Sequence, residues 1–260
     1  MASRDKTATW IYTDADNTLW DTNSVYAEAQ LGLLKRAEQI AGKRTPSPAP
    51  LEYLRKYDQG IAKQHHSHLR YPPSLLIRAL VKGLQGEPWE TAVEHVLTHG
   101  AVPTEDEKCA VDAFQADLAR VPPLLPSVQE GLRVARESGI PVYVVTEGSA
   151  DVAHSRQVAL GIAQYTNGIH SATKTRELYL RLAEKAAPRR AVMIGDQPDR
   201  DIRLAHNAGL TTVLVAGQFR PAWLDKGDNG EADVEVRDFL SGIRWVIENQ
   251  MPIVEGVKQL

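Results

Sequence analysis

Apolar and polar positions alternate along the chain on two different periods. Thr9-Trp10-Ile11-Tyr12 is a short run of β-branched and aromatic residues that stops at Asp14 and Asp16, the pattern of a buried strand ending in a polar loop. From about Ser24 to about Ala41, Val25, Leu31, Leu33, Leu34, Ala37 and Ile40 recur with helical spacing, and Gly42 stands where that helix would stop. Arg44 to Pro50 carries three alternating prolines and reads as a loop. Further helical patterns run from about Leu51 to His68, Ser74 to Gln85, Glu90 to Leu97 and Glu105 to Arg120. Nothing between Asp21 and Val121 reads as a buried parallel strand.

The pattern changes at Val121-Pro-Pro-Leu-Leu-Pro126, a stiff connection after which Ser127 is placed to cap a helix reaching about Ser138. Ile140 to Val145 reads as a strand, about Asp151 to Leu160 as a helix, Tyr165 to His170 as an irregular piece and Thr175 to Ala186 as a helix. Arg190 to Ile194 is a strand closed by Gly195-Asp196, followed by a helix over Asp199 to Asn207 and a strand over Thr211 to Val215. A short strand at Asp233 to Val236 and a helix from about Asp238 to Glu248 complete the series. Strands alternating with helices predict an α/β fold, a doubly wound, Rossmann-like parallel sheet. Residues 1–21 and 122–260 would form this core and residues 22–121 an inserted α-helical domain.

With 260 residues, 43% of them apolar, the chain can bury one large core or two modest ones. A net charge of -3 argues against a broad basic face for nucleic acid. The single Cys109 cannot form an intramolecular disulfide, no apolar run approaches a membrane span, and the opening residues lack a secretory segment. A soluble, cytoplasmic protein is expected, with no membrane or nucleic-acid partner; the sequence leaves a homodimer open.

Chemistry enters where the strands end. Asp14 with Asp16, Thr146, Lys174, and Asp196 with Asp199 and Asp201 all follow predicted strands or lie in adjacent loops. In a parallel sheet these ends share one edge, so residues distant in sequence converge. Taken alone, Asp14 to Asp16 also reads as a turn. Several carboxylates packed together repel unless a cation shares them, and an all-oxygen set suits Mg2+. One lysine and one hydroxyl would then suffice to hold a phosphoryl group.

In order and spacing these motifs resemble those of the haloacid dehalogenase superfamily, most of whose members are Mg2+-dependent phosphatases. Asp14-Ala15-Asp16-Asn17-Thr18-Leu19 is similar to its first motif, Asp-x-Asp-x-Thr-Leu; Thr146 to its second; Lys174, 28 residues later, to its third; and Gly195-Asp196 through Asp201-Ile202 to its fourth. The resemblance covers about residues 6–20 and 122–250. It implies that Asp14 is a nucleophile forming an aspartyl-phosphate and that Asp16 is the acid and base. Asp14, the Asp16 carbonyl and Asp196 would hold Mg2+, with Asp201 as outer partner or Asp199 in its place. Thr146 and Lys174 would bind phosphate, Lys185 being the substitute for Lys174.

The chain departs from the family pattern at Glu147, Gln197 and Thr175. Glu147 would either point away from the phosphate or touch the leaving group. The helical insert resembles the cap that such enzymes carry between the first and second motifs, which implies a small phosphorylated metabolite as substrate, chosen by the cap. Within it His66 and Arg70 share a face at i, i+4 if the helix reaches that far, and Trp20 is near enough to line the site. A dehalogenase, a phosphomutase, a phosphonate hydrolase and a non-catalytic binding protein on the same fold are the other readings. Asp16 argues against the first.

Overall fold

The computed structural model describes residues 9–66, 71–100, 102–217, 225 and 227–249. These form two compact units, one from the described residues up to Thr22 and from Val121 onward, the other from those of Asn23–Arg120.

The first unit is built on six parallel strands: β1 (Thr9–Asp14), β2 (Val142–Thr146), β3 (Gly168–Ser171), β4 (Arg190–Gly195), β5 (Thr211–Val215) and β6 (Val234–Val236). Their order is β3-β2-β1-β4-β5-β6, which makes β1 central. β1 outlasts its apolar run because its ladder continues on both sides, Asp14 opposite Val145 of β2 and Thr13 opposite Ile194 of β4. The strands alternate between two cores, as a sheet covered on both faces must. Ile11, Val142, Val144, Val192, Ile194 and Val213 pack with residues of α6 (Val128–Glu137), α7 (Ala150–Ala159) and α10 (Phe239–Glu248). Tyr12, Val145, Ala191 and Met193 pack with residues of α8 (Arg176–Ala186) and α9 (Arg203–His206).

The second unit is helical: α1 (Thr22–Ala41), α2 (Pro50–Gln64), α3 (Pro73–Gln85), α4 (Trp89–His99) and α5 (Glu105–Leu118). Its core includes Leu33, Leu54, Ile61, Leu76, Ile77, Leu80, Val93 and Phe114.

Four local expectations change. The piece predicted as irregular contains β3, whose strand form comes from pairing Tyr143–Thr146 with Gly168–Ser171 rather than from an apolar run. The helix predicted to His68 ends at Gln64, because His65 is extended (φ -80°, ψ 137°). His66 is therefore not on a helix, and Arg70 lies outside the described residues. Ser127 does not cap α6: it is left-handed (φ 70°) and makes no capping bond. The helix predicted over Asp199 to Asn207 is instead a π-helical turn, Pro198–Ile202, running into the single turn of α9.

Candidate active site

The tip of β1 sets the first carboxylate. Asp14 is 4% exposed; its Oδ2 accepts from Thr18 Oγ1 at 3.3 Å, and its Oδ1 accepts from Lys174 Nζ. The chain then folds into a tight turn, with Leu19 N–H donating to the Ala15 carbonyl at 2.9 Å and Asn17 N–H to that of Trp20 at 2.7 Å. Asn17 takes the left-handed conformation (φ 61°) that Asn tolerates better than most residues.

The tip of β4 brings in two more. Asp196 follows Gly195 directly, and the π-helical turn carries Asp201 back so that its Oδ2 accepts from Gln197 N–H at 3.1 Å. Asp201 is fully buried and accepts from Lys174 Nζ at 2.5 Å. One oxygen each of Asp14, Asp196 and Asp201 lies within 4.8 Å of the others. Asp201 rather than Asp199 joins this group. Lys174 rather than Lys185 faces it, since the Lys185 ammonium lies 6.0 Å from the Tyr143 ring centroid.

Three ionised carboxylates and one ammonium leave two net negative charges in a buried site. Burial raises the Asp14 carboxyl to about 7, against the opposing charge of Lys174, with Asp201 and Asp16 adding to the rise. Asp196 is raised well above the ordinary range, first by burial and then by Asp14 and Asp201. Burial disfavours the Lys174 ammonium, but Asp14 and Asp201 outweigh it and hold its pKa well above the usual lysine value. Asp196 Oδ1 is buried without a hydrogen-bond donor among the described residues. An orphaned carboxylate oxygen beside two others fits a hard divalent cation such as Mg2+.

Phosphate-binding candidates flank this group. Thr146 ends β2 and is 4% exposed; its Oγ1 accepts from Gly148 N–H at 3.0 Å, which leaves the hydroxyl proton for another acceptor. Glu147 is held between two neighbouring loops. Its Oε1 accepts the backbone N–H of Lys174 at 3.0 Å and pairs with Arg200 Nη2. Tyr179 Oη donates to the Arg200 carbonyl at 3.2 Å, so the loops carrying Thr146, Lys174 and Asp201 are tied together. Arg200 was within reach of sequence reasoning: it stands inside the fourth motif, and an acid at position 147 beside a phosphate site needs a cation.

Asp16 belongs to a neighbouring cluster. Its Oδ1 accepts from Thr22 Oγ1 at 2.6 Å, Trp20 Nε1 at 2.8 Å and Arg156 Nη1 at 3.3 Å. Trp20 is 1% exposed, so it reaches the site through that bond and its buried ring is no substrate platform. Thr22 and Arg156 carry no sequence signal of their own, being one residue of a helix start and one of a weakly amphipathic helix. His66, in the helical unit, is exposed and stacks on His65 with ring centroids 4.3 Å apart.

The family described as "haloacid dehalogenase-like hydrolase" matches residues 10–209. A glyceraldehyde 3-phosphate phosphatase of Methanopyrus kandleri is 25% identical over 242 residues, 89% of this chain and 95% of that protein. A phosphoserine phosphatase of Thermus thermophilus is 31% identical over 130 residues, 47% of this chain and 51% of that one. The magnesium-bound HAD-hydrolase YfnB of Bacillus subtilis shares the fold, with a TM-score of 0.62 at 15% identity over 92% of this chain and 98% of its own. With four motifs meeting at one sheet edge and a family match spanning most of its length, the chain is an enzyme of the haloacid dehalogenase-like hydrolases.

Proposed function

We propose that this hydrolase is a Mg2+-dependent phosphatase that cleaves a small phosphomonoester through an aspartyl-phosphate on Asp14. The observation that carries the reading is the buried Asp14, Asp196 and Asp201 group with the orphaned Asp196 Oδ1 and a single lysine. Two similar proteins named as phosphatases of small phosphorylated molecules support the substrate class. Asp14, Asp196 and the Asp16 carbonyl would hold Mg2+, with Asp201 behind them. The ion would supply the positive charge that keeps Asp14 ionised and offsets charge on the phosphoryl oxygens.

Asp14 attacks phosphorus as the ester P–O bond breaks, and Asp16 gives its proton to the departing alkoxide. Asp16 then takes a proton from water as that water attacks phosphorus and releases Asp14. Lys174 and the Thr146 hydroxyl hold the phosphoryl oxygens. The helical unit, residues 22–121, is assigned the choice of substrate, and the cytoplasm is the proposed location. Among the described residues no helix is long and apolar enough to cross a membrane.

The test is hydrolysis of p-nitrophenyl phosphate with Mg2+ and with EDTA. Activity should require Mg2+ and fall by about 10³-fold in Asp14→Asn and Asp16→Asn. Release of halide from a 2-haloacid without Mg2+, in place of phosphate release, would overturn the reading in favour of a dehalogenase.

A further inference from the structure

The cations around the site are not equally engaged. Lys174 is taken up by Asp14 and Asp201; Arg200 pairs through Nη2 with Glu147, which ties it to the loop of Lys174 although its Nε has no partner among the described residues, and it makes no hydrogen bond or ion pair with Asp16. Arg156, on α7, makes one long hydrogen bond, 3.3 Å from Nη1 to Asp16 Oδ1, and its Cζ lies 5.9 Å from the Trp20 ring centroid. Its other guanidinium N–H groups have no partner among the described residues, and its side chain is 20% exposed.

That engagement exceeds what Asp16 needs. Asp16 Oδ1 already receives two shorter bonds, from Thr22 at 2.6 Å and Trp20 at 2.8 Å. A guanidinium with open N–H donors, backed by an aromatic ring, is a fork suited to a planar carboxylate. Its position fixes what it can meet. In the phosphatase reading, on which this inference rests, Asp16 delivers its proton to the ester oxygen. A cation one hydrogen bond from that carboxylate then reaches a group one or two carbons from the ester oxygen.

We infer that Arg156 binds a carboxylate on the leaving alcohol, so that the preferred substrates are phosphate esters of short hydroxy acids. The substrate's negative charge replaces water on the open side of the guanidinium while the Asp16 contact stays in place. A neutral alcohol leaves that side unanswered and gains nothing from it. Discrimination between the two should appear mainly in KM, because the carboxylate is bound in the ground state as well as the transition state.

2-Phosphoglycolate and ethyl phosphate differ at one position, a carboxylate against a methyl group, and make the matched pair for a test with p-nitrophenyl phosphate alongside. In the wild-type enzyme with Mg2+, kcat/KM should favour 2-phosphoglycolate by about 10- to 100-fold, the range for a charged hydrogen-bonded pair. Arg156→Met should bring that ratio to within about threefold, through KM, and Arg156→Lys should restore part of it. Where Arg156→Met does not fold, a fall of at least about fivefold in the ratio for Arg156→Lys carries the same conclusion, since lysine keeps the charge and loses the fork. A wild-type ratio near one, or an unchanged ratio in the folded variant, would overturn the inference. Failure of the wild-type enzyme to hydrolyse any of the three esters would instead overturn the phosphatase reading.

Discussion

Asp201 lies so close to Gly195 that a Cβ at position 195 would stand 2.5 Å from the Asp201 carboxylate. The glycine is required by this approach, since the backbone there is ordinary strand. Because Asp201 also receives the Lys174 ammonium at 2.5 Å, displacing it displaces both. Gly195→Ala is therefore expected to cost about 1–3 kcal/mol of stability by overpacking and to lower kcat at least about tenfold. Urea unfolding and p-nitrophenyl phosphate kinetics measure the two effects. Full activity in this variant would show that Asp201 can move without consequence.

Glu147 does two jobs of unequal weight. Its pair with Arg200 is partly open to solvent, 41% on the arginine side, and such pairs contribute about 0–1 kcal/mol. Its bond to the Lys174 N–H, by contrast, satisfies a backbone donor in the loop that aims the lysine. Glu147→Ala should then lower kcat by about tenfold or more and Glu147→Gln, which keeps an acceptor, by much less. Arg200→Ala should resemble the glutamine variant. Equal losses in Arg200→Ala and Glu147→Ala would assign the effect to the ion pair instead.

The sequence is most readable where structure is local. Runs such as Arg190–Ile194 end at acids because a parallel sheet buries its strands and exposes their tips, and that alone brings Asp14, Thr146 and Asp196 to one edge. β3 is not readable, because Gly168-Ile-His-Ser171 is a strand through its neighbour β2. The choice of Asp201 over Asp199 depends on a π-helical turn that periodicity does not encode. Side-chain direction is decided furthest away: Glu147 answers Arg200, 53 residues on, and Asp16 answers Arg156, 140 residues on.

Without a cation, burial and mutual repulsion push Asp14 and Asp196 toward their protonated forms, because ionising all three carboxylates of the Asp14, Asp196 and Asp201 group against one lysine would leave two excess negative charges in a buried site. Any cation that binds them must stabilise the folded state by linkage, about 2.7 kcal/mol at a hundredfold excess over Kd. Millimolar Mg2+ should accordingly raise the melting temperature relative to EDTA. Asp196→Asn should abolish that rise while itself melting no lower than the wild type in EDTA, because the amide is neutral where the metal-free site disfavours a charged carboxylate. A wild-type melting temperature indifferent to Mg2+ would count against a metal at this site.

The helical unit holds its own buried acid. Asp58 on α2 is 2% exposed; its Oδ1 accepts from Tyr71 Oη and its Oδ2 from Gln59 Nε2 at 3.2 Å. Burial raises its pKa, and the bonds from Tyr71, Gln59 and Gln30 offset part of that rise. With the folded pKa above the unfolded one, near 3.9, the folded state holds this proton more tightly. Its contribution to stability is fully present below the unfolded pKa and is lost as pH rises through the folded pKa. Glu107, lowered on balance because its bonds with Arg78 and Thr104 outweigh burial, works in the opposite sense, losing its contribution as pH falls below the ordinary glutamate value. Asp58→Asn keeps the Oδ1 acceptor for Tyr71 but puts an N–H donor in place of the Oδ2 that accepts from Gln59; the Gln30 amide, whose Oε1 is buried without a partner among the described residues, can turn to accept from it. The variant should melt as high as or higher than the wild type at pH 7.5, with an advantage that shrinks at pH 5. Thermal unfolding of both proteins at the two pH values measures this, and an advantage that grows toward pH 5 would mean that the charged form of Asp58 is the one the fold prefers.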